Sequence, residues 1–359
     1  MPRPHLHLFA VALFAAVTVP ALAAQQPAAP APASTASSAP AAAVGPYHIV
    51  DRWKIGGEGG WDYLIADPGA HRLYLAHGMQ VDVVDTTSGK LIGSITGLHG
   101  VHGVALDPAG KFGYISDGGG NAVVVFDRST LAAVATIPAG TNPDCIIFEP
   151  VTKTVWAFNG RSSSITVIDP STRTVVATIP IPGKPEFAVA DGQGNVFDNL
   201  EDKSEIVRID AHAKSVLGTW PAGCDSPSGL AFDAAGHRLF PVCDGKKMSV
   251  IDSTTGKLLA NPSIGDGPDA AGYSAAHSLA FASSRDGILS VIDAAAPDYP
   301  TIESLPTQPG ARTMAYDPST DRVYLVTAEF GPRPDPTPQN PRPRPPVLPG
   351  SFTVIVVGR

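Results

Sequence analysis

The sequence predicts an all-β, seven-bladed β-propeller of four-stranded blades. Two recurring anchors share one period, and the two chain ends complement each other. The first anchor is an apolar strand ending in aspartate: Asp85, Asp127, Asp169, Asp210, Asp252 and Asp293 recur at spacings of 41 or 42 residues. The second is an apolar strand running into an acidic turn. It falls at Asp67, Asp107, Glu149, Asp191 and Asp233 in steps of 40 or 42, then passes a degenerate copy near Ser274 to reach Asp317. A fixed period of this length marks a repeat architecture in which each copy is one supersecondary unit.

Each copy holds four short strand signals. In the third they fall at 145–148, 154–158, 164–168 and 174–179. All are rich in β-branched and aromatic residues and are separated by Glu149-Pro150, Asn159-Gly160 and Asp169-Pro170. No helical period of useful length interrupts them. Four strands per copy are the signature of propeller blades. The final copy has strand signals at 312–316, 322–327 and 352–357, and then the chain stops. The segment 48–56 matches the fourth-strand pattern of the other copies. Three strands from one end and one from the other would close the ring and leave no open edge.

The propeller accounts for residues 47–359. Ahead of it, Arg3, an apolar run from Leu8 to Leu22 and the small-residue pattern Ala21-Leu22-Ala23 read as a cleavable signal peptide over 1–23. The run is too short and too alanine-rich for a membrane span. Residues 24–46 are nearly all Ala, Pro and Ser, which bury too little apolar surface to offset their ordering entropy, so they read as a linker. The expected location is the periplasm or the exterior. Residues 331–350 form a proline-rich insertion in the last blade, with nine prolines in twenty residues and Arg333, Arg342 and Arg344 against Asp335. It should run extended, as a lid, a docking arm or a tolerated surface loop.

The formal charge is −8 and there is no run of Lys or Arg, which argues against nucleic acid as a partner. There is also no G-x-S-x-G, H-E-x-x-H, C-x-x-C-H or phosphate-loop motif. The Asp-x-x-Ser/Thr units closing the third strands are turn chemistry, in which the carboxylate caps backbone N–H groups two residues on. The informative positions lie five residues before each acidic turn, where the innermost strands begin: Asp62, His102, Asp144, Glu186, Ser228, Asp269 and Arg312. All seven are polar and should ring the mouth of the central channel. The ends of the second strands return to the same face and supply a second ring, including His77, Asp117 and Asn159, with Ser283 in the sixth blade.

Such a mouth is a ligand-binding candidate. Asp62, His102, Asp144 and Glu186 offer the oxygen and imidazole donors that a divalent metal takes, and no other cofactor is indicated. A solvated ring that merely keeps the channel open is the alternative. Cys224 precedes the first strand of the fifth copy and Cys243 ends its second, so antiparallel pairing makes a disulfide plausible. Cys145 reads as a buried free thiol.

Asp169-Pro-Ser-Thr followed by Ala177-Thr-Ile-Pro resembles the YVTN-repeat β-propellers, a family that includes YncE-like exported proteins. The resemblance extends over about 47–359, with the naming letters degraded to Tyr74-Leu-Ala-His77, Tyr114-Ile-Ser-Asp117, Ala157-Phe-Asn-Gly160 and Tyr324-Leu-Val-Thr327. It implies the same fold and export. It is compatible with a non-enzymatic binding module for a protein, peptide or small ligand. Metal-assisted hydrolysis, as in similar seven-bladed lactonases, and a quinoprotein-like oxidoreductase subunit are the alternatives.

Overall fold

In a computed structural model, residues 46–108, 110–337, 340–341 and 343–359 are described. The signal-peptide expectation, and all but the last residue of the linker, lie outside them. Seven antiparallel sheets are arranged in a ring. Blades one to six occupy 61–95, 101–138, 143–180, 185–221, 227–260 and 268–306. Blade seven takes Thr313–Asp317, Arg322–Thr327 and Thr353–Gly358, and His48–Lys54 pairs with Thr353–Gly358 on its outer edge. Each innermost strand packs on the next, and that of blade seven packs on that of blade one. The one described helix is a 3-10 turn at Pro68–Ala70, and among the described residues no helix is long and apolar enough to cross a membrane.

Strand alternation builds the ring. Successive side chains point to opposite faces of a strand, so each blade offers one apolar face to each neighbour. Trp156 and Phe158 join the cluster shared with blade four, whereas Val155 and Ala157 join the one shared with blade two. Among the described residues there are seven buried clusters, one at each blade interface. The core is therefore a circle of seven sheet-on-sheet contacts around an axis.

The aspartate turns tie the strands at the blade edge. Asp127 Oδ1 accepts from the N–H groups of Ser129 (2.8 Å) and Thr130 (3.0 Å), and Asp85 and Asp252 make the same paired contacts. The Ser129 hydroxyl, with these amides, holds the Asp127 carboxyl down at about 2.

Blade five departs from the pattern. Its third strand is split into Lys247–Met248 and Val250–Asp252. The cause is Pro241 on the neighbouring strand, which accepts from Ser249 N (2.9 Å) but has no N–H to return. Cys224 and Cys243 form a disulfide in this blade, with Cα atoms 5.9 Å apart. Closing a loop of this length restricts the unfolded chain by about 3 kcal/mol in the chain-entropy treatment. A Cys224→Ser/Cys243→Ser protein should lose about 2–4 kcal/mol in urea unfolding. Equal midpoints for the wild type with and without reductant would refute this.

Candidate functional site: the channel mouth

The ring positions owe their aim to a backbone irregularity. In blade one, Trp61 pairs with His77 but the next ladder pair is Leu64 with Leu75, so the register shifts between them. The same shift recurs at Val101/Val104, Pro143/Ile146, Pro185/Ala188, Pro227/Leu230 and Pro268/Ala270. Asp62, His102, Asp144, Glu186, Ser228 and Asp269 each sit inside such a shift. A bulge leaves its extra residue unpaired and re-aims its side chain. Six blades thus turn a polar side chain out of the ladder at one level, and Arg312 from blade seven completes the set.

The structure brings these residues into contact around the axis. His102 Nδ1 lies 2.7 Å from Asp62 Oδ2 and 3.5 Å from Asp144 Oδ1. Asp62, His102 and Asp144 each offer a donor atom within 4.8 Å of the others. Gly118 makes room for them, since a Cβ there would stand 2.6 Å from the His102 ring. Glu186 accepts from Lys184 Nζ at 3.0 Å, and Lys184 also bonds Glu201. Asp269 is paired with Arg312, whose guanidinium also reaches the carbonyl of Trp61 (3.5 Å). Ser228 is spent on the blade, donating to Pro268 O at 3.0 Å.

The four carboxyls of the ring lie close to the cationic groups of His102, Lys184 and Arg312. Burial raises Asp144 to about 6, with His102 opposing and Asp62 adding to the rise. Burial likewise raises Glu186 to about 7, helped by Asp144 and opposed by Lys184. Asp269 also stands at about 7, raised by burial and held back by Arg312. His102 moves the other way: burial lowers it, but the Asp62 hydrogen bond and the nearby charges of Asp144 and Glu186 win and lift it to about 9. Near neutral pH the mouth therefore holds an imidazolium and two partly protonated carboxyls, Glu186 and Asp269.

The cup has a floor. Tyr63 and Phe187, each following a ring residue, meet edge-on with ring centroids 4.9 Å apart. Below the ring, the channel cavity of about 360 Å³ is lined mostly by apolar residues such as Val104, Ile146 and Met314. The mouth itself opens into two cavities. One of about 510 Å³ is lined by Glu186, Glu201, Asp244 and Asp269 among others; the second, of about 400 Å³, reaches Asp62, His102 and Arg161.

The second ring goes elsewhere. His77 is buried, bonded through Nδ1 to Asp82 (2.8 Å) and stacked on Phe352 at 4.0 Å. The buried Asp117 accepts from the His99 backbone (2.8 Å) and pairs with its ring. Asn159 is buried and donates to Ser164 and Thr166. These three hold the blade ends together. In blade six the register pairs Pro268 with Ser284, so Ser284, not Ser283, is the counterpart of His77. Cys145 is buried and free; its Sγ accepts from Ala188 N at 3.3 Å, and burial pushes its thiol up.

Sequence reasoning missed Lys184, Glu201, Asp244 and Arg285. The last three follow Leu200, Cys243 and Ser284 directly, where blades one to three carry Gly78, Gly118 and Gly160. Comparing that one column across the copies would have found them. Asp198, fully buried, with neither carboxyl oxygen in a normal hydrogen bond, was also missed.

These features define a seven-bladed β-propeller with an acidic cup at one end of its channel. No protein-family model matches the chain, and no curated protein matches it. In structure it is similar to hydrazine synthase from Kuenenia stuttgartiensis, with a TM-score of 0.66 and 17% identity over 75% of this chain and 92% of that one. It is also similar to U3-55K (TM-score 0.68, 10% identity, 86% and 98%) and to the RRP9 WD40 repeats (0.69, 11%, 87% and 97%). Likeness at these identities is likeness of fold.

Proposed function

We propose that the chain is an exported β-propeller of the YVTN-repeat kind. It works as a non-enzymatic binding module that takes a cationic group of a ligand or partner protein in the cup. Export is supported by the sequence pattern of residues 1–23, and the family by the repeat letters quoted above. The carrying observation is that bulges aim four carboxyls at one axis while Asp144, Glu186 and Asp269 are held at about 6 to 7. A cation entering the cup stabilises their ionised forms, so binding must release protons and tighten as pH rises.

Calorimetric titration with spermidine at low salt tests this. Affinity should rise by about tenfold or more between pH 5.5 and 8, with protons released to the buffer, and Asp144→Asn should weaken binding and flatten the profile. Binding that ignores pH, or no binding, would overturn the reading. A second reading rests on Asp62, His102 and Asp144, whose spacing suits a divalent metal and hence metal-assisted hydrolysis. There His102 Nδ1 already bonds Asp62 and favours the imidazolium, so a metal must displace a proton. Stoichiometric Mn²⁺ uptake lost in Asp144→Ala, with lactone turnover, would favour it.

A further inference from the structure

Beside the acidic cup lies a cavity of opposite character. It measures about 410 Å³, and its walls include Trp61, Arg285, Arg312, Phe330, Arg333 and Arg344. That volume falls within the usual range for small-molecule sites. The chain as a whole is acidic, yet four guanidiniums border this one space. Arg312 is paired with Asp269. Among the described residues Arg285, Arg333 and Arg344 have no ion-pair partner.

The proline-rich insertion builds the outer wall. It turns back on itself as a hairpin: Gly331 N donates to Pro346 O (2.8 Å), Leu348 N to Glu329 O (2.8 Å), and Phe330 bridges Val347. The backbones of Thr337 and Asn340 exchange hydrogen bonds farther along in the same register. Arg333 lies on the outgoing arm and Arg344 on the returning arm, and both line the cavity. On the propeller side, burial and the charges of Arg312 and Arg344 hold the Arg285 guanidinium below its usual range.

The remaining walls are flat and apolar. Trp61 lies against Phe330 with centroids 6.0 Å apart, and against Phe352 at 5.7 Å. Gly310, at a φ of +86°, lets Phe330 approach, because a Cβ there would stand 2.8 Å from that ring. The Trp61 indole N–H itself is buried without a hydrogen-bond partner.

We propose that this cavity binds an oxyanion, a carboxylate or a phosphate monoester, carried on a planar apolar group. Guanidiniums gathered around one space match both oxyanions through bidentate, charge-assisted hydrogen bonds, and the aromatic walls accept the flat group. The site shares Arg312 with the ring and Arg285 with the larger mouth cavity, but Arg333 and Arg344 belong to the insertion alone and no cup carboxyl lines it.

The test is calorimetric titration of the full chain at low salt with phenyl phosphate and, separately, with benzoate, using benzamide as the uncharged control. At least one anion should bind, and about tenfold or more tighter than benzamide; which one binds better identifies the oxyanion. Arg333→Ala/Arg344→Ala should weaken that binding by about tenfold or more. These residues lie on the insertion, so the melting curve should not move. Lys153→Ala, which borders a different cavity, should bind as the wild type does. No heat with either anion up to about 10 mM, or equal binding by the double variant, would overturn the proposal. Asp144→Asn should leave anion binding intact, so failure of the cation reading and failure of this one are separable.

Discussion

Asp198→Asn should make the protein more stable above pH 5, and the gain should grow with pH. Asp198 is fully buried on the second strand of blade four, and neither carboxyl oxygen makes a normal hydrogen bond. Burial, reinforced by Glu186 and Asp144, holds its carboxyl well above the usual carboxylate range. The native state therefore keeps a proton that the unfolded chain releases near pH 4. The native state binds more protons, so unfolding free energy falls as pH rises. The slope is about 1.4 kcal/mol per pH unit for one such group while it stays protonated in the fold. Asparagine keeps the shape and removes the titration.

Wild-type and variant urea curves should accordingly agree near pH 4 and separate steadily above it. Parallel curves would show that Asp198 is ionised in the fold, and the buried-acid account would fail. The ring reinforces the trend. Asp144, Glu186 and Asp269 carry the same sign until about pH 6 to 7. His102, raised to about 9, gives stability that is complete below its unfolded value near 6.5 and lost as pH climbs through 9. Asp127, lowered to about 2, works oppositely, its contribution failing only as pH drops below 4. Maximum stability is expected near pH 4.

The contrast between Asp198 and Asp127 shows what could be read in advance. Asp127 belongs to a repeated letter pattern, and its role is local: it caps amides two and three residues away. Repetition and locality made blades, turns and the ring positions legible. Asp198 has no counterpart in the other copies, and its strained state depends on Glu186 and Asp144 from the ring above it. The bulges were invisible for another reason. A register shift changes which atoms pair without changing any letter, so the position of Asp62 was readable but the cause of its aim was not. The second ring shows the limit of a topological argument. The end of a strand can be assigned to a face of the molecule, but whether His77 points into the mouth or under Phe352 depends on packing by a residue 275 positions away.

Trp156→Ala should be among the most damaging single changes, at about 3–5 kcal/mol. Trp156 is completely buried in the second strand of blade three. Its ring enters the cluster formed with Ala188, Val196, Leu200 and Val207 of blade four, and its N–H donates to Thr154 Oγ1 at 2.8 Å. Truncation leaves a cavity between two rigid sheets, each already held on its other face by a further cluster, so neither can move in to fill it. The cost belongs to the interface: a ring is held at every junction, and a loosened junction frees two blade edges at once. Trp156→Phe keeps most of the buried surface and should recover most of the loss, since Thr154 can still bond Thr152 (2.7 Å). Val176→Ala, on the outer strand of the same blade and 48% exposed, should change stability by no more than about 0.5 kcal/mol. Urea unfolding followed by circular dichroism will compare the three. A loss below about 1 kcal/mol for Trp156→Ala would mean that adjacent blades slide to close the gap, and that the ring is looser than its seven buried clusters imply.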